Sequence, residues 1–325
     1  MTTGVAGNIY TLALGRQSAK GVAQTSPTYK LKLTSGDLSP ARQVIQLAET
    51  DSSRQDGKSV VVGAHVEGTP EFYVRPDDFG LLAYAALGAN ADSGTSPNYI
   101  HTATMLNNGN LPYLTIYKAV GNTSLVDEYV DCRVTGLSIK GQAGQVLTVA
   151  ADIAGLSATF GATDPVLTTV QQTPLVYPNV TVRKNGSAPA TVESFQLDIK
   201  SNPTILQADT SIVPYDIVPG KLQVSGTFTL LFENDQDYRN FHTGSSSGTA
   251  FSTTIFTQTL EMMVRASTFL SVDFLMNSVA YTAYPVLPDV SGAPIRVAAG
   301  FQSQPDPATL ANYIQIQTYN GVSSY

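Results

Sequence analysis

The sequence predicts a mainly β protein made of two tandem antiparallel β-barrel or sandwich domains, each flanked by a short helix. Three observations predict this class: a composition poor in charge, strands that alternate apolar and polar residues, and internal repetition. Charged residues make up 13% of the 325 residues, about half the usual share, and apolar residues make up 42%. Because this composition lacks the charge density of disordered chains, we expect the chain to fold.

The clearest repeat is a strand that carries the pattern Val-x-Gly-Thr. Residues 66–69 and 224–227 share this pattern at positions 158 apart, and the flanking residues alternate in the same register. Alternation of this kind predicts a half-buried strand of an antiparallel sheet. The apolar members are Val60, Val62, Ala64, Val66, Phe72 and Val74 in the first copy and Leu222, Val224, Phe228, Leu230 and Phe232 in the second.

A short helix is predicted directly after each of these strands. Pro76, Asp77 and Asp78 mark the first start, and Asn234 and Asp235 mark the second. Acidic and amide side chains at such positions cap free backbone N–H groups. The glycines at positions 88 and 244 predict the two helix ends, because glycine readily adopts the backbone conformation that terminates a helix.

Two further matches extend the repetition. Residues 147–149 and 156–160 resemble 270–272 and 279–284, and residues 189–197 resemble 307–315. Four matches in consistent order predict a tandem duplication, and the length is sufficient for two cores. We expect a first domain over residues 1–165, with an insertion at about 89–130, and a second over 166–325. The joint falls in the linker-like stretch 161–175.

The first half carries a resemblance to a known family. Residues 14–21 (Leu-Gly-Arg-Gln-Ser-Ala-Lys-Gly) are followed by the acidic residue Glu49, by Arg54, by Gly57, by the Val-x-Gly-Thr strand and by the Pro-Asp-Asp-Phe helix. This order is similar to that of the major tail tube proteins of long-tailed, siphovirus-type bacteriophages. The second half has no clear equivalent of the Glu49 and Arg54 pair, so any role for that pair is expected in the first half alone.

The resemblance implies a structural role. Tail tube domains form rings of six, and stacked rings make the conduit for genome delivery. A duplicated chain implies homotrimeric, pseudo-hexameric rings; a hexamer of undivided subunits is the alternative geometry. The implied partners are other copies of the chain, the tape-measure protein and genomic DNA in the lumen without sequence-specific binding, and other tail proteins. The implied location is the virion tail tube, assembled in the host cytoplasm.

Two groups of residues are candidates for functional surfaces. If the repeated strands line the bore, their polar faces present Glu67, Glu71 and Glu233 to DNA, and like charge prevents adhesion. The alternative is that these faces meet solvent outside the tube. In this family a long loop after the first strand bridges stacked rings, which implies this role for residues 36–58 and 202–220. A mobile surface loop is the alternative. The candidate inter-ring residues are Glu49, Asp51, Arg54 and Asp56.

No catalytic, cofactor or metal site is predicted. The net charge of −7 argues against tight nucleic-acid binding, and a single cysteine, Cys132, excludes a disulfide framework within the chain. The three histidines lack the spacing of zinc ligands. Residues 244–248 fit the Gly-x-Ser-x-Gly pattern, but they follow a helix, whereas a nucleophile elbow follows a strand. We expect no secretion signal and no membrane span. The alternatives to a tail tube are a capsid or decoration subunit and, less favoured, a carboxylate-based enzyme.

Overall fold

The computed structural model describes residues 10–27, 29–49, 57–107, 109–121, 125–163, 165, 172–187, 191–287, 292–305 and 313–325. The prediction of a mainly β protein with two helices is confirmed, because these residues form two α-helices and 21 strands joined in antiparallel pairs. The strands are β1 (Tyr10–Arg16), β2 (Tyr29–Leu31), β3 (Leu33–Ser35), β4 (Leu38–Gln46), β5 (Ser59–Gly68), β6 (Glu71–Tyr73), β7 (Gly88–Thr95), β8 (Asn98–Met105), β9 (Leu114–Val120), β10 (Leu125–Gln142), β11 (Thr148–Gly155), β12 (Ser157–Phe160), β13 (Val180–Lys184), β14 (Val192–Lys200), β15 (Thr204–Leu206), β16 (Asp216–Val218), β17 (Gln223–Leu231), β18 (Thr257–Ser267), β19 (Leu270–Ala283), β20 (Arg296–Ser303) and β21 (Gln315–Asn320).

The two helices end where the sequence predicts. Helix α1 (Pro76–Leu87) stops at Gly88 and helix α2 (Gln236–Thr243) stops at Gly244, and both glycines have a positive φ, 95° and 72°. The predicted acidic cap is wrong for α1. Its N-cap is Arg75, and Asp77 lies buried within the first turn without capping it. In α2 the N-cap is Asp235, whose side chain makes no capping hydrogen bond, but Gln236 N donates a hydrogen bond to Oδ1 of the preceding Asn234 over 3.1 Å.

All the strands except β15 and β16, which form a separate two-stranded sheet, join in one continuous, branched antiparallel sheet. Its main order is β4, β5, β11, β10, β14, β17, β20, β19, β18 and β13. One branch adds β9, β1, β2 and β12 around the first end of β10, and another runs from β19 through β21 and β8 to β7. A single hydrophobic cluster packs beneath strands of both halves. The halves therefore share a sheet and a core.

The two halves contain the same strand ladder. Leu33 and Ser35 pair with Phe72 and Glu71 across a bulge; 159 and 158 positions later, Val192 and Ser194 pair with Leu230 and Thr229 across an equivalent bulge. Two more irregularities recur in the same way, in β10 at 129–132 and 134–136 and in β19 at 276–279 and 281–283. Bulges are specific local features of a ladder, so three shared ones indicate equivalent strands.

The ladder assigns partners that two of the sequence matches missed. Strand β11 meets β6 and β5 as β20 meets β17, so β11 corresponds to β20 and not to the start of β19. Strand β12 lies beside β10 as β21 lies beside β19, so the counterpart of β21 is β12 and not β14. Short alternating segments resemble each other in any two strands, whereas hydrogen-bond partners distinguish them. Among the described strands, β7 and β8 have no counterpart in the second half.

A polar cluster holds α1 within the core. All twelve residues of α1 are buried. The Tyr325 hydroxyl donates a hydrogen bond to the backbone oxygen of Asp77 over 2.8 Å, and Asn320 Nδ2 donates one to that of Pro76 over 2.9 Å. Gly80 permits this contact, since a Cβ atom there would lie 2.2 Å from the Tyr325 hydroxyl. The C-terminal strand is thereby fastened to a helix of the first half.

Asp78 makes this region sensitive to pH. Burial, and then the neighbouring carboxylate of Asp77, raise the pKa of Asp78 to about 7. Its Oδ1 atom has no hydrogen-bond partner among the described residues. A carboxyl group whose pKa is raised by folding binds protons more tightly in the folded state, so stability falls as pH rises from about 4 to about 7.

We predict that Asp78→Asn raises the free energy of unfolding at pH 8, by up to about 4 kcal/mol for a shift of about three pKa units, and changes it little at pH 4. The amide is similar in shape and carries no charge that must be buried. Urea unfolding at both pH values measures the effect, with Asp209→Asn on an exposed loop as the control. Equal effects of Asp78→Asn at the two pH values would contradict the assignment.

Candidate assembly surfaces

The main sheet has one polar face that spans both halves. Residues directly opposite each other in an antiparallel ladder project from the same face. One such row runs through Glu71, Ala150, Ser138, Asp198 and Ser225 on five successive strands. The opposite face carries the buried residues of the core, such as Phe72, Val149, Ile139, Leu197 and Val224.

Two of the three predicted lumen residues lie on this face. Glu67 on β5 is exposed, and its Oε2 lies 3.2 Å from His65 Nε2. Glu71 on β6 is half-buried and accepts a hydrogen bond from the Ser35 hydroxyl over 2.6 Å. Glu233 is exposed but follows the end of β17, where it accepts a hydrogen bond from Thr191 Oγ1 over 2.8 Å. It is therefore not part of the strand row.

Sequence reasoning missed other charged residues of the face. Asp152 and Asp198 add carboxylates, while Lys140 on β10 and Lys200 on β14 add positive charge. Near the same face Arg296 Nε lies 2.7 Å from Glu193 Oε2. The alternation within β10, β11 and β14 carried this signal, but it becomes informative only when the neighbouring strands are known. The face is thus mixed in charge, with a modest excess of carboxylates.

The outer parts of β4 and β5 form an arm that leaves the core. Val44, Ile45 and Val62 on this arm are 55%, 45% and 43% exposed, so the predicted burial of Val62 is wrong. Glu49, which follows the arm, is exposed. The other candidates of this segment, Asp51, Arg54 and Asp56, lie outside the described residues. Exposed valine and isoleucine side chains on a two-stranded arm are typical of a contact surface.

A second arm, β15 and β16, lies beside the first. Ala64 N donates a hydrogen bond to Ile212 O over 2.8 Å and so joins the two arms. The second arm also exposes apolar side chains, with Ile212 51% and Tyr215 64% exposed. These arms occupy the two segments in which long bridging loops are expected.

The buried side chain of Arg133 fixes the second arm to the body. Its Nη1 atom donates a hydrogen bond to Ile217 O over 2.7 Å, and its guanidinium lies 4.1 Å from the centre of the Tyr113 ring. Burial acts to raise the pKa of Asp216, but hydrogen bonds from Tyr113 and the Ile217 N–H outweigh it and hold that pKa below its ordinary value. These polar contacts therefore fix the base of the second arm, at Asp216 and Ile217, to the rest of the protein.

The Gly-x-Ser-x-Gly motif considered for catalysis lies on an exposed turn after helix α2. Ser246 is exposed on the turn after α2, as the pattern of a helix followed by glycine predicts. His242 contacts the rings of Tyr238 and Phe251. Within the described ranges, histidine, cysteine and carboxylate groups form no cluster of three or more suited to a metal ion. None of the helices in the described part of the chain has the length and hydropathy needed to cross a bilayer.

The mainly antiparallel fold, its repeated ladder and its two exposed arms define a β-rich protein with extensive surfaces for association. The family model of the phage tail tube protein matches residues 7–305, and the chain belongs to this family. The predicted resemblance is thereby confirmed. A search of curated proteins finds no match. Membership identifies a structural protein of the phage virion that associates with itself and with other tail components.

We predict that Arg133→Met loosens the second arm. Loss of the hydrogen bonds from a buried guanidinium is expected to lower the free energy of unfolding by roughly 1–3 kcal/mol and to increase proteolytic cleavage between β15 and β16. Limited proteolysis with mass spectrometry locates the cleavage. Arg183→Met on an exposed side chain of β13 is the control. Unchanged cleavage in the arm of Arg133→Met would show that this residue is not its anchor.

Proposed function

We propose that this chain is the repeating subunit of a phage tail tube, and that its copies assemble into stacked rings that form the conduit for genome delivery. The observation that carries the proposal is the shared ladder, because a chain of this family contains the same strands twice and joins them edge to edge at β10 and β14. Assembly takes place in the host cytoplasm, and the mature location is the virion tail.

We infer that the two halves are tandem tail tube domains, over residues 1–165 and 166–325. Three chains then supply six domains, in a ring that is pseudo-sixfold because the halves differ. The recurring bulges support this arrangement, and the hairpin of β7 and β8 is a feature of the first half. A closed ring also pairs sheet edges that otherwise promote aggregation. A hexamer of undivided subunits is the competing geometry.

The polar face of the main sheet is the proposed lumen surface. Glu67 and Glu71 support this assignment, since exposed carboxylates repel the phosphate backbone and let DNA pass without adhesion. Glu233 has weaker support because it lies beyond the end of β17. Lys140 and Lys200 reduce the repulsion without reversing it. The lumen then accommodates first the tape-measure protein and later genomic DNA. It makes no sequence-specific contact with the DNA.

The two arms are the proposed contacts between stacked rings. Their exposed apolar side chains support this role, and Glu49 with Asp51, Arg54 and Asp56 is the proposed charged segment of the first arm. Apolar contacts supply affinity, while charged groups fix the orientation of one ring on the next.

We predict that the purified protein forms hollow tubes in negative-stain electron micrographs and that Val44→Glu restricts it to single rings. A charge on the exposed side of the first arm is costly to bury between rings. Val22→Glu, at a similarly exposed valine outside both arms, is the control and is expected to leave tubes. Persistent monomers or closed shells from the unmodified protein would overturn the proposed function; long tubes of Val44→Glu would overturn only the role of the arm.

We predict that Glu67→Lys makes preassembled tubes retain duplex DNA. The substitution changes the charge of each proposed lumen position by two units, from repulsion to attraction of phosphate. Co-sedimentation of labelled DNA with tubes at low and high salt measures retention, which salt should weaken. Ala266→Lys combined with Thr268→Lys, which adds two units of positive charge at the exposed turn from β18 to β19 outside both arms, is the control. Equal retention by both variants would place Glu67 outside the lumen.

A further inference from the structure

The two halves differ at the strand that joins one half to the next. In the first half β10 continues for several residues beyond Gly136, whereas its counterpart β19 ends at Ala283. Gly136 pairs with Asp152 as Ala283 pairs with Gly300, which makes these positions equivalent. Residues 284–287 therefore correspond to residues 137–140. They form no strand in the single chain.

In the first half, the equivalent segment makes the junction between the halves. Leu137 and Ile139 pair with Ile199 and Leu197 of β14, and all four side chains are buried. Residues 284–287 keep the same alternation without a partner strand. Tyr284 is buried and Val286 is half-buried, whereas Pro285 is exposed and Leu287 is 71% exposed.

A strand that fits this segment lies at the far end of the sheet. The counterpart of β14 is the pair β3 and β4, since Leu38 faces Gly68 as Leu197 faces Gly226. Among the described strands, β4 pairs with β5 alone, so no described strand covers its other edge. Leu38 at its start is buried, and its backbone oxygen accepts hydrogen bonds from the side chains of Lys118 and Tyr129. Six strand-to-strand steps separate β4 from β20 within one chain. The β4 edge of a second chain is thus the matching partner.

The exposed faces beside these segments agree with this arrangement. Helix α1 packs against β21, the counterpart of β12, and is buried throughout, whereas in α2 only Asn240 is buried. A groove of about 720 Å³ beside α2 includes Val286 and Phe251, and Phe251 is 88% exposed. Strand β12 carries Phe160, which is 65% exposed. Each side of the expected junction therefore has an uncovered aromatic residue.

We infer that residues 284–287 of one copy add as a strand to residues 37–40 of a second copy, in the register of the junction between β10 and β14. Tyr284 then lies opposite Pro40, Pro285 opposite Ser39, and Val286 opposite Leu38. In the same contact β12 of the second copy covers α2. This inference rests on the proposed function and identifies the surfaces through which its ring closes.

The prolines explain why the junction is specific. Pro40 and Pro285 have no N–H group, so this ladder contains fewer hydrogen bonds than the junction within the chain. Proline at a strand edge limits pairing with unrelated strands. Apolar contacts of Val286, Phe251 and Phe160 then contribute the remaining stabilisation, and they require the correct partner surface.

Site-directed cross-linking tests the register. The variants Pro285→Cys and Ser39→Cys are prepared as two single variants and as one double variant. Each is assembled and treated with a short bismaleimide, a reagent that joins two thiols only a few ångströms apart. Cys132 is fully buried, so the reagent does not reach its thiol. The equivalent pair within one chain, Ser138→Cys with Asp198→Cys, is the positive control and should give a cross-linked monomer. Phe269→Cys, exposed elsewhere, replaces Ser39→Cys in the negative control.

We expect mixed single variants to give a two-chain product and the double variant to give products of up to three chains. Cross-linked products of more than three chains would support the contact between residues 285 and 39 but contradict a ring of three chains. Tubes in electron micrographs without a cross-link between residues 285 and 39, while the positive control reacts, would overturn the inference and leave the proposed function intact. Absence of both tubes and cross-links would overturn both.

Discussion

Backbone pairing along β10 is the interaction on which the rest of the structure depends. One end of this 18-residue strand pairs with β9 and β12, and the other end pairs with β11 and β14. Every buried N–H and C=O group must find a partner, so a strand with neighbours on both sides along its length fixes the position of each. The bulges at 129–132 and 134–136 bend β10 between the two sets of partners. The fold is continuous across its halves because this strand belongs to both.

The same requirement explains what the single chain leaves open. A sheet that does not close has edges, and an unprotected edge pairs with any suitable strand. Here no described strand pairs with the outer edge of β4, and the second half has a segment at 284–287 that continues the alternation of a strand. The different burial of α1 and α2 agrees with this, because the first helix has its cover within the chain. In the proposed assembly, the strand pairing that joins the two halves within a chain also joins one chain to the next.

The buried polar cluster contains carboxyl groups whose burial lowers the stability of the core. Asp77 and Asp78 lie among apolar residues, and burial raises the pKa of both carboxyl groups. Around them, Asn320 and Tyr325 donate hydrogen bonds to backbone oxygens of the first turn of α1. Polar groups in such a position specify one arrangement of the packed elements, because an alternative packing leaves them without partners. They connect the last strand of the second half to the helix of the first.

The sequence by itself determined the mainly β class, the Val-x-Gly-Thr strands, both helix ends and the family, since these depend on local alternation, on glycine and on ordered motifs. It also identified Glu67 and Glu71 as polar members of a strand. Tertiary structure alone decided that Asp152, Asp198, Lys140 and Lys200 share their face and that Val62 is exposed. It also decided that the counterpart of β11 is β20. Alternation tells on which side of a strand a residue lies, but the partner strand is chosen by hydrogen bonds between residues distant in the chain.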